Sequence, residues 1–176
     1  MKLNVVQDLA ARTLLVILAA AVVQDFMYMK ISNRLILMGI LFSLAFGLTM
    51  GGPKQIICML VNLSFPVIVL YLLYLLGVLG AGDIKLFSII GGFTNFRLLI
   101  SCMFFSFVAA AIIAVCKLLY NRNLFSSLFR AGVYFRSLRQ EGIVSYHKEW
   151  AEHRNLMHFS VAILIGYIAA VAVPVM

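Results

Sequence analysis

Six apolar runs joined by short polar connections dominate this sequence and restrict the folds open to it. The runs cover approximately residues 9–25, 34–50, 55–79, 84–94, 97–118 and 157–175. A helix needs about 20 residues to cross the hydrocarbon core of a bilayer, and all runs but the fourth come near that length. The fourth must lie with little tilt, thin the bilayer or end inside the protein. The pattern predicts an all-α polytopic membrane protein with about six transmembrane helices, one of them short.

The share of apolar side chains supports a bilayer environment. Hydrophobic residues make up 64% of the 176 residues and charged residues 11%, whereas soluble domains have about 45–50% and about 25%. We therefore expect a single membrane-embedded domain over 1–176. Small residues at 19–21 make the first run resemble a signal peptide. Arg12 interrupts the charged-then-apolar order of such peptides and no soluble domain follows, which favours a retained helix.

The one long polar linker, at about 119–156, is strongly basic. Seven of the 14 Lys and Arg residues lie between Lys117 and Arg154. The first half of the linker has the pattern of an interfacial amphipathic helix. We expect this loop to face anionic lipid at the cytoplasmic side and expect no nucleic-acid partner. With both termini outside, ten Lys and Arg residues are cytoplasmic and four external. The positive-inside rule favours this orientation in the inner (plasma) membrane.

Two of the six acidic residues adjoin apolar runs, and they are the candidates for chemistry. Asp25 ends the first run and Asp83 opens the fourth. A carboxylate at a membrane edge is costly to desolvate and usually marks function. Two full crossings separate Asp25 from Asp83, so both carboxylates lie at the same face of the membrane. They can meet only if the first and fourth segments are neighbours.

Two neighbouring carboxylates favour aspartic-protease chemistry. Such a pair shares one proton and holds a water, which the ionised member deprotonates for attack on a peptide carbonyl. This chemistry needs no metal and no cofactor. The alternative is that each aspartate forms an ion pair, Asp25 with Lys30 or Arg34 and Asp83 with Lys85.

A metal site is not expected from the histidines and cysteines. His147, His153 and His158 are not joined by a carboxylate at a ligand spacing, and they are interpreted as solvated loop or interface residues. The cysteines all lie in apolar runs and none forms a C-x-x-C pair.

Three stretches carry a resemblance to a known family. The second aspartate closes Gly80-Ala81-Gly82-Asp83 and is followed by Ile84-Lys85. The first opens Asp25-Phe-Met-Tyr-Met-Lys-Ile-Ser-Asn33, and the tail contains Met157-His-Phe-Ser-Val-Ala-Ile163. These resemble the motifs of the G-x-G-D membrane aspartic peptidases, specifically the prepilin leader peptidases. The chain is most similar to the short forms that serve tight-adherence and related type IV pili.

The resemblance implies an activity and a set of site residues. Asp25 and Asp83 match the catalytic aspartates of the family. Gly80 and Gly82 would let the backbone approach a neighbour or a substrate strand closely. The substrate would be a prepilin or pseudopilin, cut on the cytoplasmic side after a glycine, between a short basic leader and an apolar helix.

Lys85 and Asn33 are supporting candidates, each with a second interpretation. Lys85 is placed to tune Asp83 or hold the substrate, or else to extend to the headgroups. Asn33 is a turn or capping residue, or a substrate ligand.

The sequence departs from the family pattern in three places. Ser32 stands where the family usually has Pro, and a serine there is expected to cap the second helix. His158 and Ser160 replace the usual Pro-containing entry to the last helix. The chain lacks the paired C-x-x-C insertion of the larger bifunctional members, so N-methylation of the product is not predicted.

Two other functions fit part of the sequence. Two membrane carboxylates also suit the proton relay of a proton-coupled transporter or channel subunit. A non-catalytic membrane scaffold of pilus assembly is the third possibility. Cleavage of a peptide by the purified chain separates the peptidase from both.

Overall fold

Most of the residues that the structure describes are helical. The computed structural model describes residues 2–76, 78–120 and 159–173. The described helices are α1 (Lys2–Tyr28), α2 (Asn33–Leu75), α3 (Ala81–Phe93), α4 (Phe96–Tyr120) and α5 (Phe159–Ala172). Stretches long and apolar enough to span a membrane are Val6–Tyr28, Gln55–Leu75 and Phe96–Lys117, and shorter apolar ones are Asn33–Thr49 and Phe159–Ala172. The prediction of an all-α polytopic membrane protein is confirmed.

Helix α2 contains the second and third apolar runs, and both of its halves pack against α3. A Cβ added at Gly92 would lie 2.8 Å from Ser43 Oγ, and one added at Gly91 would meet the backbone carbonyl of Asn62. In a straight helix Ser43 and Asn62 would lie about 28 Å apart. Because adjacent glycines of α3 contact both, the chain reverses its direction within α2.

The sequence Gly51-Gly52-Pro53-Lys54, between the second and third apolar runs, predicts a turn, and this prediction is wrong in its local conformation. These residues are helical, and α2 is continuous from Asn33 to Leu75. A Cβ added at Gly47 would nevertheless lie 3.1 Å from Met59 Sδ, whereas residues this far apart in a straight helix are separated by about 18 Å. The reversal is therefore a sharp bend in the helix, in a stretch rich in glycine and proline, where helices bend most readily.

Helix α3 is the short fourth segment, and a side chain of α2 caps its carboxyl end. Its 13 residues rise about 20 Å. The carbonyl of Thr94, just after the helix, accepts a hydrogen bond of 3.1 Å from Asn62 Nδ2. Asn62 is itself buried. A side chain of α2 thus satisfies a backbone group that water would otherwise have to satisfy.

We expect Asn62→Leu to lower the free energy of unfolding by about 1–3 kcal/mol, because the Thr94 carbonyl loses its buried donor. Thermal unfolding in detergent micelles measures the change. Ser64→Leu is the matched control: Ser64 is exposed on the same helix, and its replacement should change stability by less than about 0.5 kcal/mol. Equal unfolding midpoints for the two variants would contradict this role of Asn62.

The buried core that supports the candidate site lies between α1, α3 and α5, which contact one another pairwise. The described residues up to Ala110 and helix α5 belong to one compact unit, and α4 from Ala111 onward belongs to a second. The expectation of a single peptidase domain over 1–176 stays a prediction. The predicted amphipathic helix and basic loop at 119–156 lie outside the described residues, apart from the end of α4.

Candidate active site

Asp25 lies in the last turn of α1, on the face that this helix buries. The side chains of Leu14, Leu18 and Ala21 are 0–1% exposed. Residues three and four apart share one face of a helix, so Asp25 continues this stripe. The carboxylate is half-buried. The helix therefore directs Asp25 towards its packing partners rather than towards lipid.

Asp83 lies in the first turn of α3 and follows the same rule. Phe87 and Ile90, four and seven residues later, are fully buried. Asp83 Oδ2 accepts a 3.2 Å hydrogen bond from the N–H of Gly80, the residue before the helix. A carboxylate at this position satisfies an otherwise unpaired N–H group and interacts favourably with the helix dipole. The side chain is half-buried.

The two glycines before Asp83 have separate close neighbours. A Cβ added at Gly80 would lie 3.1 Å from Asp83 Oδ2, so glycine leaves room for the carboxylate. A Cβ added at Gly82 would lie 3.2 Å from Ile31 Cδ1. Gly82 thus lets the start of α3 approach the connection between α1 and α2.

Lys85 and Asn33 meet at the same end of the protein. Lys85 Nζ donates a 2.9 Å hydrogen bond to Asn33 Oδ1, and both residues are exposed. The contact joins the start of α3 to the start of α2. Ile31 lies two residues before Asn33, and its approach to Gly82 agrees with this placement. The beginning of α3 therefore lies beside the connection that directly follows Asp25's helix.

The connection between α1 and α2 is ordered by its own hydrogen bonds. Ser32 N–H donates to Gln24 Oε1 at 3.0 Å. Ser32 Oγ accepts from Arg34 N–H at 3.2 Å, which confirms Ser32 as the N-cap of α2. Met29 has a φ of 53°, a left-handed conformation that ends α1, while its N–H still donates to Asp25 O at 2.9 Å. Such a conformation costs a non-glycine residue about 1–2 kcal/mol.

Ser160 is the site residue whose role sequence reasoning missed. Its Oγ donates a 2.6 Å hydrogen bond to Asp25 Oδ2. Ser160 lies in the first turn of α5, directly after Phe159, whose ring is 6.3 Å from that of Phe87. The sequence marked Ser160 only as a departure from the family pattern. No periodicity relates it to Asp25, because 135 positions separate them.

These contacts gather the predicted site residues at one end of the first unit. Ser160 Oγ donates a hydrogen bond to Asp25. The ring of Phe159, the residue before Ser160, packs against Phe87, which lies one helical turn after Asp83. The side chain of Lys85 bonds to Asn33. The sharing of one water by the two aspartates stays a prediction.

A metal site does not emerge from the part of the chain that the structure describes. No group of three or more His, Cys, Asp or Glu side chains lies together among residues 2–76, 78–120 and 159–173. His147, His153 and His158 lie outside these ranges.

The chain is similar to a known protein family. A model of the type IV leader peptidase family matches residues 13–115. The matched range contains both aspartates, the whole of α2 and α3, and most of α1 and α4. It does not reach α5. No curated protein and no solved structure matches this chain.

Proposed function

Because the chain belongs to the type IV leader peptidase family, we propose that it cuts the leader from prepilin-like substrates with Asp25 and Asp83 as an aspartic pair. Family membership carries the proposal, since the matched range includes both residues. It follows from family membership alone that the chain is a leader peptidase that acts in a membrane. The aspartic mechanism, the side of the membrane and the substrate class are the finer parts proposed here.

Two observations support the choice of aspartates. Each one extends the buried face of its helix, Asp25 on α1 and Asp83 on α3, and these helices contact each other. Each is bound by a hydrogen-bond donor, Ser160 Oγ or the Gly80 N–H. A general acid or base must be held in one orientation to act efficiently, and these donors restrict both carboxylates.

The chemistry follows from two carboxyl groups and one water. The ionised aspartate takes a proton from the water as the water oxygen attacks the peptide carbonyl carbon. The protonated aspartate donates its proton to the carbonyl oxygen, which gives a neutral tetrahedral diol. When the C–N bond breaks, the amide nitrogen takes a proton from the first aspartate and the second recovers its own from the diol. Water is consumed and both carboxyl groups return to their starting states.

The alternative, in which Asp83 forms an ion pair with Lys85, is not supported by the hydrogen bond that Lys85 makes. Its ammonium donates to Asn33, which is an amide and carries no charge. A lysine held there places a positive charge at the edge of the proposed site without neutralising Asp83 through that bond. Lys85 and Asn33 are therefore proposed as supporting residues that fix the start of α3 against the start of α2.

The excess of Lys and Arg in the predicted cytoplasmic connections supports an active site that opens to the cytoplasm. A substrate with a basic leader and an apolar helix would place its cleavage site at the same interface, because the leader stays in water while the helix enters the bilayer. Because the chain resembles the short forms that serve tight-adherence and related type IV pili, prepilins of such pili are the substrates to test first.

Co-expression with a candidate prepilin tests the proposal. The substrate should carry a short basic leader, a glycine and an apolar helix, and intact-mass analysis should show loss of the leader after that glycine. A substrate with the glycine replaced by leucine is the matched control and should stay uncut. Uncut native substrate, together with ion flux in liposomes containing the purified chain, would instead favour the proton-coupled transporter.

A further inference from the structure

Ser160 is almost completely buried, with 1% of its surface exposed, and its hydroxyl reaches Asp25 Oδ2 at 2.6 Å. Hydrogen bonds from a hydroxyl to a carboxylate are among the strong ones and have lengths of about 2.5–2.7 Å. The family match ends at residue 115, so it gives α5 no role. The structure nevertheless brings the first turn of this helix to one of the two proposed catalytic groups.

The two aspartates lie at opposite ends of their helices, where different backbone groups lack a partner within the helix. Asp83 stands at a helix start, where N–H groups are unpaired, and it accepts one of them from Gly80. Asp25 stands at a helix end, where the unpaired backbone groups are carbonyl oxygens. Those oxygens cannot donate to a carboxylate. The Ser160 hydroxyl, on α5, supplies a hydrogen-bond donor that the backbone at this end of α1 cannot supply.

The start of α5 is held firmly enough to orient this hydroxyl. Phe159 packs against Phe87 of α3 and Phe107 of α4, with ring centroids 6.3 and 5.8 Å apart. Further along α5, a Cβ at Gly166 would meet the backbone of Ser106 in α4. Close packing at both places leaves α5 little freedom to move. Ser160 is therefore presented to Asp25 from a fixed position.

We propose that Ser160 is a positioning residue for Asp25, and that α5 thereby completes the active site. The proposal rests on the proposed function, since it assigns Ser160 a role only if Asp25 is catalytic. The hydrogen bond fixes the rotation of the Asp25 carboxylate, and Ser160 itself touches neither the substrate nor the water. Its loss should slow the chemical step and leave substrate binding unchanged.

The test compares serine variants of the full chain in detergent micelles, with a purified prepilin-like substrate. Ser160→Ala should lower kcat by about 10- to 100-fold, the effect of losing a hydrogen bond to a charged group, with little change in KM. Ser160→Thr keeps the hydroxyl and should restore most of the activity. Should Ser160→Ala not fold, Ser160→Cys makes the same test, because a thiol is nearly the size of a hydroxyl and a much weaker donor.

Ser43→Ala is the matched control. Ser43 is equally buried, with 1% exposed, and its hydroxyl donates to the Ile40 backbone carbonyl rather than to a carboxylate. Its replacement should leave kcat unchanged. A native kcat for folded Ser160→Ala or Ser160→Cys overturns the inference, as does an equal loss in Ser43→Ala or a folded Ser160→Thr without activity. Asp25→Asn in the same series separates the two proposals, because activity in that variant would overturn the proposed function itself.

Discussion

Asp25→Asn and Asp83→Asn should each lower the cleavage rate by about 10³-fold or more, because each removes one member of the acid–base pair. Asparagine has nearly the shape of aspartate but neither gives nor takes a proton at neutral pH. The hydrogen bonds from Ser160 and Gly80 can still be accepted by the amide oxygen. Folding and membrane insertion should therefore be retained. The measurement is the rate of product formation by intact mass, beside thermal unfolding of each variant.

Asp8→Asn is the control for this pair. Asp8 belongs to the same helix as Asp25 but is exposed near its start, and it lies outside the matched range. The same chemical change at this position should leave cleavage at the native rate. Retained cleavage in folded Asp25→Asn or Asp83→Asn would end the assignment of an aspartic pair, whatever the effect at Asp8.

Gly91→Ala should be strongly destabilising, with a loss of about 3 kcal/mol in the free energy of unfolding. Alanine is normally the better helix former by about 1 kcal/mol. At Gly91, however, the new methyl group would collide with the backbone carbonyl of Asn62, which a side-chain rotation cannot relieve. The helices α2 and α3 would have to separate, and the start of α3 carries Asp83. Both the unfolding midpoint and the cleavage rate should fall.

Gly47→Ala is the matched control for the second prediction. Gly47 is also buried in a helix, but the atom that its Cβ would approach, at 3.1 Å, is Met59 Sδ. A methionine side chain can move aside, so the gain in helix propensity should keep stability within about 1 kcal/mol of the native protein. Equal losses at Gly47 and Gly91 would show that the contact with the Asn62 carbonyl does not limit the packing of α3.

The sequence alone was sufficient for the fold class and for the choice of candidate residues. Apolar runs near the length of a membrane span can satisfy their backbone groups only as helices, so the all-α membrane fold followed from run length and composition. Asp25 and Asp83 stood out because a carboxylate at a membrane edge is costly. Counting crossings placed them at one face. Ser32 as an N-cap followed from local chemistry, and the structure confirms it.

Contacts between distant segments were decided only by the tertiary structure. The bend of α2, the capping of Thr94 by Asn62 and the bond from Ser160 to Asp25 all join groups that no sequence period relates. Each depends on which helix faces pack together, and buried polar groups find partners only after that packing is set. Helix periodicity specifies which face of a segment is buried. It does not specify which other segment covers that face, and this is why the donor to Asp25 could be identified only from the folded chain.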